Sequence, residues 1–234
     1  MNIYNRLEFS PQKCDNNQNK TIEIELSKNG ENLYIFFGGI AAGITMPRFE
    51  FYKYSKIFDQ NKIFIRDLSQ CWYQDGLPGI SGDIYSTAIY IGNLVRQIKA
   101  QKIFFVGNSM GGYAAILFSK LIGEGEVIAF SPQTFISPIL RLRYKDFRWK
   151  NQVYTTYIRS LLKRKIWNLK PLLLSGKNQK ISIFISTIDR LDMVHASHVS
   201  NIPGVNIYKF ESGGHEVVKF LRDEGKLPAI MSGA

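Results

Sequence analysis

Long apolar runs are missing from this 234-residue chain. No stretch approaches the ~20 apolar residues that a membrane-spanning helix needs. Cysteine is scarce, with only Cys14 and Cys71. Their spacing suits neither a metal nor a redox pair, so a disulfide framework is excluded and two free thiols in a reducing compartment are expected. Histidine is limited to His195, His198 and His215. His195 and His198, in "HASHV", lack further ligands around them and read as packing or surface residues of a helix, so no metal site is expected. The opening segment, "MNIYNRLEFSPQKCDNNQNK", has no apolar signal core, which predicts a cytoplasmic protein that is not exported by a cleaved signal. Repeats are absent, and "DNNQNK" reads as a short loop.

Acidic residues are missing from one place in particular. From Arg141 to Lys180 there are 12 Lys/Arg and a single acid, Asp146, whereas the rest of the chain holds 18 basic and 18 acidic residues. The net charge of +11 therefore belongs to one local segment and not to the whole domain.

What is present is a regular alternation. Seven short β-prone runs occur: "TIEIELS", "NLYIFF", "KIFIR", "KIFFV", "EVIAF", "KISIFIS" and "VNIYKF". The first alternates like a half-exposed edge strand, and most of the others are nearly continuous in apolar residues, like strands buried on both faces. Between them, Ile84, Ala88, Ile91, Val95 and Ile98 form a helical stripe behind the candidate N-cap Asp83. "GYAAILFSKLIG" is small and apolar enough to pack under a sheet, with Gly123 closing it. This pattern predicts a three-layer αβα sandwich with a mainly parallel sheet, as one domain over 1–234. The interval between "EVIAF" and "KISIFIS" is too long for a simple crossover. It reads as a basic cap or lid insertion over 132–179, rich in aromatics.

"GNSMGG", Gly107 to Gly112, lies between a strand and a helix. A serine at such a turn is held out into a cleft by a strained backbone, and the amide of Met110 faces a bound carbonyl oxygen. Ser109 is thus the candidate nucleophile. His215, in "ESGGHEV" after the last strand, is the candidate general base. For the acid, Asp189 is favoured because it stands at a strand end. Asp192 is the alternative, and would otherwise cap the helix that follows. A second oxyanion donor is expected from "FFGGIAAG", through the amide of Gly39 or Ile40. The loop "RDLSQCWYQDGLPG" admits two readings. Either Arg66, Asp67, Trp72, Tyr73 and Gln74 line a substrate pocket, with Trp72, Tyr73 and Gln74 as the main candidates, or the loop packs its own aromatics.

Taken in order, "FFGGI", "GNSMGG", "TIDRLD" and "GGHEV" resemble the oxyanion loop, nucleophile elbow, acid region and histidine loop of the α/β-hydrolase superfamily. "IRDLSQCWYQDGLPGI" and "IAFSPQTF" are similar to a bacterial group of small hydrolase-like proteins, some associated with surface-polysaccharide synthesis. The resemblance implies the α/β-hydrolase fold, a cap at the long interval, and a serine esterase that needs no cofactor. Its substrate would be a small-molecule or glycan ester, anionic if the basic cap gathers it. Two alternatives stand: an acyltransferase using the same triad, or a non-catalytic protein whose basic segment binds nucleic acid or anionic lipid. Nucleic acid is not the expected partner of the leading reading, and the sequence sets no oligomeric state.

Overall fold

The computed structural model describes residues 20–40, 51–159 and 165–232. Cys14 and residues 160–164, within the segment expected to form a cap, lie outside them. All seven β-prone runs become strands: β1 (Ile22–Glu25), β2 (Leu33–Phe37), β3 (Asn61–Ile65), β4 (Ile103–Asn108), β5 (Glu126–Phe130), β6 (Ile181–Ser186) and β7 (Val205–Phe210). They form one sheet in the order β1-β3-β2-β4-β5-β6-β7. β1 is antiparallel to β3 at the edge, and every other pairing is parallel.

The two faces of the sheet build two cores. In β2, Leu33, Ile35 and Phe37 enter one cluster, while Tyr34 and Phe36 enter the other, as the two-residue period of a strand requires. The first face is covered by α1 (Ile84–Ile98), α2 (Met110–Ile122) and α6 (Arg190–Val199). The second is covered by α7 (Val217–Asp223) and α8 (Leu227–Met231) and is rich in stacked aromatics such as Tyr34–Phe104 and Phe36–Phe64. Burial of each such ring contributes on the order of 2–3 kcal/mol. The result is a three-layer sandwich.

Helix boundaries follow local chemistry. The Asp83 side chain accepts the Ser86 amide in a capping box that starts α1, and Gly123 ends α2 in the left-handed region at φ +85°. Between β5 and β6 lie α3 (Pro138–Tyr144), α4 (Lys150–Arg159) and α5 (Leu169–Leu174). α5 packs on α2 through Leu169 and Leu173 and serves as the crossover helix. The elements beyond an ordinary crossover are thus α3 and α4.

Candidate active site

In a parallel sheet, the loops after the strands gather at one edge. Ser109 follows β4, Asp192 follows β6 and His215 follows β7. Ser109 has φ +55° and ψ −116°, a strained conformation for a residue with a Cβ. Close packing holds it there. A Cβ on Gly111 would stand 2.1 Å from the Phe37 carbonyl oxygen, and one on Gly107 would stand 2.2 Å from the Gly111 backbone. The Ser109 amide donates to Phe130 O at 2.9 Å, and Tyr113 N donates back to Ser109 O at 3.0 Å. Met110 opens α2 and is fully buried. The contact of Gly111 with Phe37 and Gly38 brings the start of α2 against the loop that leads into Gly39 and Ile40.

His215 sits in a single 3-10 turn, Gly214–Glu216, after Gly213 and Gly214, both at positive φ. Its Nε2 lies 3.0 Å from Ser109 Oγ. Its Nδ1 lies 2.9 Å from Asp192 Oδ2 and 3.0 Å from Oδ1. A carboxylate only accepts, so Nδ1 carries the proton and Nε2 presents its lone pair to the serine hydroxyl.

The two aspartates exchange the places expected of them. Asp189 Oδ1 accepts the amides of Leu191 and Asp192, both at 2.9 Å, and caps α6. Asp192, less than one turn further on, is fully buried and turned toward His215. The physical reason is that the backbone after β6 turns into helix at Asp189, so the strand-end carboxylate is taken up by the free amides of α6.

The loop after β3 packs its own side chains inward. Trp72, Tyr73 and Gln74 are all fully buried. The Asp67 carboxylate gathers the amides of Ser69, Cys71 and Tyr73 at 3.0, 2.7 and 2.8 Å and closes the loop on itself. Burial raises the Asp67 carboxyl above its ordinary range, against the pull of these amides. Gln70, Trp72 and Tyr73 are held at positive φ. Trp72 Nε1 donates to Gln133 Oε1 at 2.8 Å, and Tyr73 OH donates to Gly38 O at 3.0 Å. Gln74 grips the far end of the insertion, accepting from Ile166 N at 3.0 Å and donating to Ile166 O at 3.1 Å. Lys165 donates to Asp75 at 2.6 Å. Arg66, with its Nε on Lys20 O at 3.0 Å, ties the same loop to the strand edge.

A network absent from the sequence reading lies behind Asp192. Arg148, from the link between α3 and α4, donates through Nη1 to Asp192 Oδ1 at 2.8 Å and through Nε to Asp146 Oδ1 at 3.1 Å. Asp146 Oδ2 lies 3.0 Å from His195 Nε2. His195 Nδ1 accepts the Thr134 amide at 3.1 Å, so the ring is neutral and donates to Asp146 through Nε2. Burial works against the Asp192 and Asp146 anions, but hydrogen bonds outweigh it and lower both carboxyls: from His215 and then Arg148 on Asp192, and from His195 and then Arg148 on Asp146. The sequence feature that could have drawn attention to it is the single acid, Asp146, among twelve cations. His198 also packs on Phe135 and meets Asn168 Oδ1 at 2.9 Å.

Asp189, Asp192 and His215 bring three donor atoms within 4.8 Å of one another. The guanidinium on Asp192 and the helix amides on Asp189 already occupy them, so the charge there suits an imidazolium better than a divalent ion. Among the described residues, no helix is long and apolar enough to cross a membrane.

No family model matches the sequence, and no curated protein matches it. Solved structures do. The capsule O-acetyltransferase of Neisseria meningitidis serogroup A superposes with a TM-score of 0.64 at 14% identity, covering 88% of this chain and 89% of that one. A mutant of that protein is solved in complex with CoA. MenH from S. aureus superposes at 0.60 with 15% identity, covering 90% and 96%. An alpha/beta hydrolase enzyme, MGS-MChE2, from the metagenome of Mar Chica lagoon sediments, superposes at 0.56 with 15% identity, covering 90% and 96%. With its sheet order, its strand-turn-helix serine and these neighbours, the chain has the α/β-hydrolase fold.

Proposed function

We propose that the protein is a serine acyl hydrolase that works through an acyl-enzyme on Ser109. The observation that carries this is the continuous line from Ser109 Oγ through His215 to Asp192, at 3.0 and 2.9 Å. Ser109 attacks an ester carbonyl while His215 Nε2 takes its proton. Asp192 then balances the imidazolium, held in place by Arg148. The amide of Met110 and that of Gly39 or Ile40 face the developing oxyanion, and each such donor typically contributes ~3 kcal/mol to lowering the barrier. His215 returns the proton to the leaving alkoxide, and water repeats the sequence to release the acid.

A second reading, favoured by the likeness to the capsule O-acetyltransferase, hands the same acyl group to a hydroxyl instead of water. A glycan hydroxyl would be the acceptor, and a thioester such as an acyl-CoA the donor. Both readings share the acyl-enzyme, so one experiment addresses the common step. A fluorophosphonate should label the protein once, on the peptide containing Ser109. Labelling elsewhere, or none, rejects the reading. Turnover of nitrophenyl acetate with and without added oligosaccharide then separates the two fates, since only a transferase yields acceptor-dependent acetylated sugar.

A further inference from the structure

Eleven large hydrophobic side chains are exposed among the described residues, and five fall between Ile139 and Ile158. These are Ile139, Leu142, Phe147, Tyr154 and Ile158, between 52% and 78% exposed. On α3, Ile139, Leu142 and Arg143 stand at i, i+3 and i+4 and share a face. On α4, Lys150, Tyr154 and Ile158 recur every four residues along the outer side, while Val153 and Thr156 are buried beneath. Phe147 lies in the link, with Lys150 Nζ 5.4 Å from its ring centre. Arg143, Lys145 and Lys150 are exposed in the same segment, and Arg159 at the end of α4 stands 4.0 Å from Asp75. The one acid of the segment, Asp146, is buried and committed to Arg148 and His195.

We propose that the outer faces of α3 and α4 dock the protein on an anionic lipid surface. Exposed aliphatic side chains among cations, without a neighbouring carboxylate from the same segment, match the boundary between charged headgroups and acyl chains. Other occupants fit less well. A second copy of the chain would bring the same cations face to face, because a two-fold contact pairs a patch with itself. A single-stranded nucleic acid would engage the cations and stack on Phe147 and Tyr154, yet leave Ile139, Leu142 and Ile158 in water. At a bilayer all three kinds of side chain are satisfied together. Between these helices, Arg148 reaches Asp192, so the docking face lies one side chain from the candidate catalytic acid. The proposal does not depend on the chemistry assigned to Ser109.

The test is flotation of the full chain with phosphatidylcholine vesicles, with and without phosphatidylglycerol, at low and high salt. Two triple variants accompany the wild type: Ile139→Ser with Leu142→Ser and Ile158→Ser, and Arg143→Gln with Lys145→Gln and Lys150→Gln. Thermal melting of each reports its fold. The wild type should float with anionic vesicles only, and less at high salt. The charge variant should lose binding by about tenfold or more, because each removed cation weakens attraction to the anionic surface. The apolar variant should lose about as much and also lose the residual binding at high salt. Absence of flotation at low salt would overturn the proposal. So would binding by either variant equal to that of the wild type, displacement from vesicles by single-stranded RNA at lower concentration than by anionic lipid, or a solution dimer that the apolar variant dissociates.

Discussion

The turn that carries Ser109 and the shell that holds Asp192 fix their side chains by different means. At the serine turn the backbone does everything: Gly107 and Gly111 let strand, helix and the end of β2 touch, and the serine follows from that contact. Around Asp192 the backbone only brings the helix near. The carboxylate is held by Arg148, which comes from the insertion, and Arg148 is held by Asp146, which is held by His195. A site member fixed by backbone is insensitive to distant side chains. One fixed by a relay of buried charges inherits the stability and the titration of every group in that relay.

The largest effects test whether the two regions form one machine. Ser109→Ala should abolish labelling by a serine-reactive probe and leave the melting temperature nearly unchanged, since only a hydroxyl is lost. His215→Ala and Asp192→Asn should each lower turnover on the order of 10³-fold or more. If Asp192→Asn retained turnover within a few-fold, the aspartate behind His215 would be a spectator and the comparison would collapse.

Arg148 sharpens the contrast. Arg148→Met leaves Asp146 and Asp192 without their shared cation in a buried setting, which typically costs about 3–5 kcal/mol of stability. Turnover should fall about tenfold, because Asp192 loses the group that aims it. Arg148→Lys should restore part of the lost turnover, because the charge beside Asp192 is kept. Turnover that is unchanged in Arg148→Met would make the arginine a packing residue only.

The relay also predicts where acid weakens the fold. Burial, with Lys170 and then His195 adding to it, lowers the His198 imidazole to about 4 from its ordinary 6.5. Burial also lowers His195, against the opposing hydrogen bond that it donates to Asp146. In both cases the unfolded chain takes up a proton that the folded chain refuses. Stability should therefore fall as pH drops from 6.5 toward about 4, and the His198 contribution should level off below that. Asp146 acts on the other side: its contribution is present above the ordinary carboxyl value of 3.8 and is lost as pH falls below it. Urea unfolding across this range should show a shallower slope for His198→Gln, with the remainder due to His195. An unchanged slope would remove His198 from this account.

What could be read without coordinates was the part with local causes. The seven strand runs, the α1 stripe behind Asp83, the Gly123 stop and the serine turn each depend on residues within one turn or one strand. The layer arrangement follows from them. The choice of acid was not legible, because helix capping and imidazole support both call for an aspartate just after β6, and only the direction of the backbone separates them. The aromatic loop left two readings open for a related reason. Nothing in its own residues shows that Asp67 gathers the loop amides and that Trp72 turns onto Gln133. Arg148 needed a contact across 44 residues of sequence, and nothing local announces such a partner.

The smallest predicted effect isolates this choice most cleanly. Asp189 and Asp192 differ by less than one helical turn, and both would serve on paper. Asp189 accepts two amides at the start of α6, so Asp189→Ala should cost about 1 kcal/mol, the usual price of an N-cap. Asp189→Asn should recover much of that loss, because the amide oxygen still accepts. Turnover should stay within about threefold in both, since His215 keeps its contact with Asp192. Urea unfolding and steady-state kinetics on the same preparations measure the two quantities separately. A capping residue moves the first and spares the second. If Asp189→Asn matched the wild type in stability but lost turnover by a hundredfold, the carboxylate charge of Asp189 itself would be serving His215, and the acid would have to be assigned to the pair.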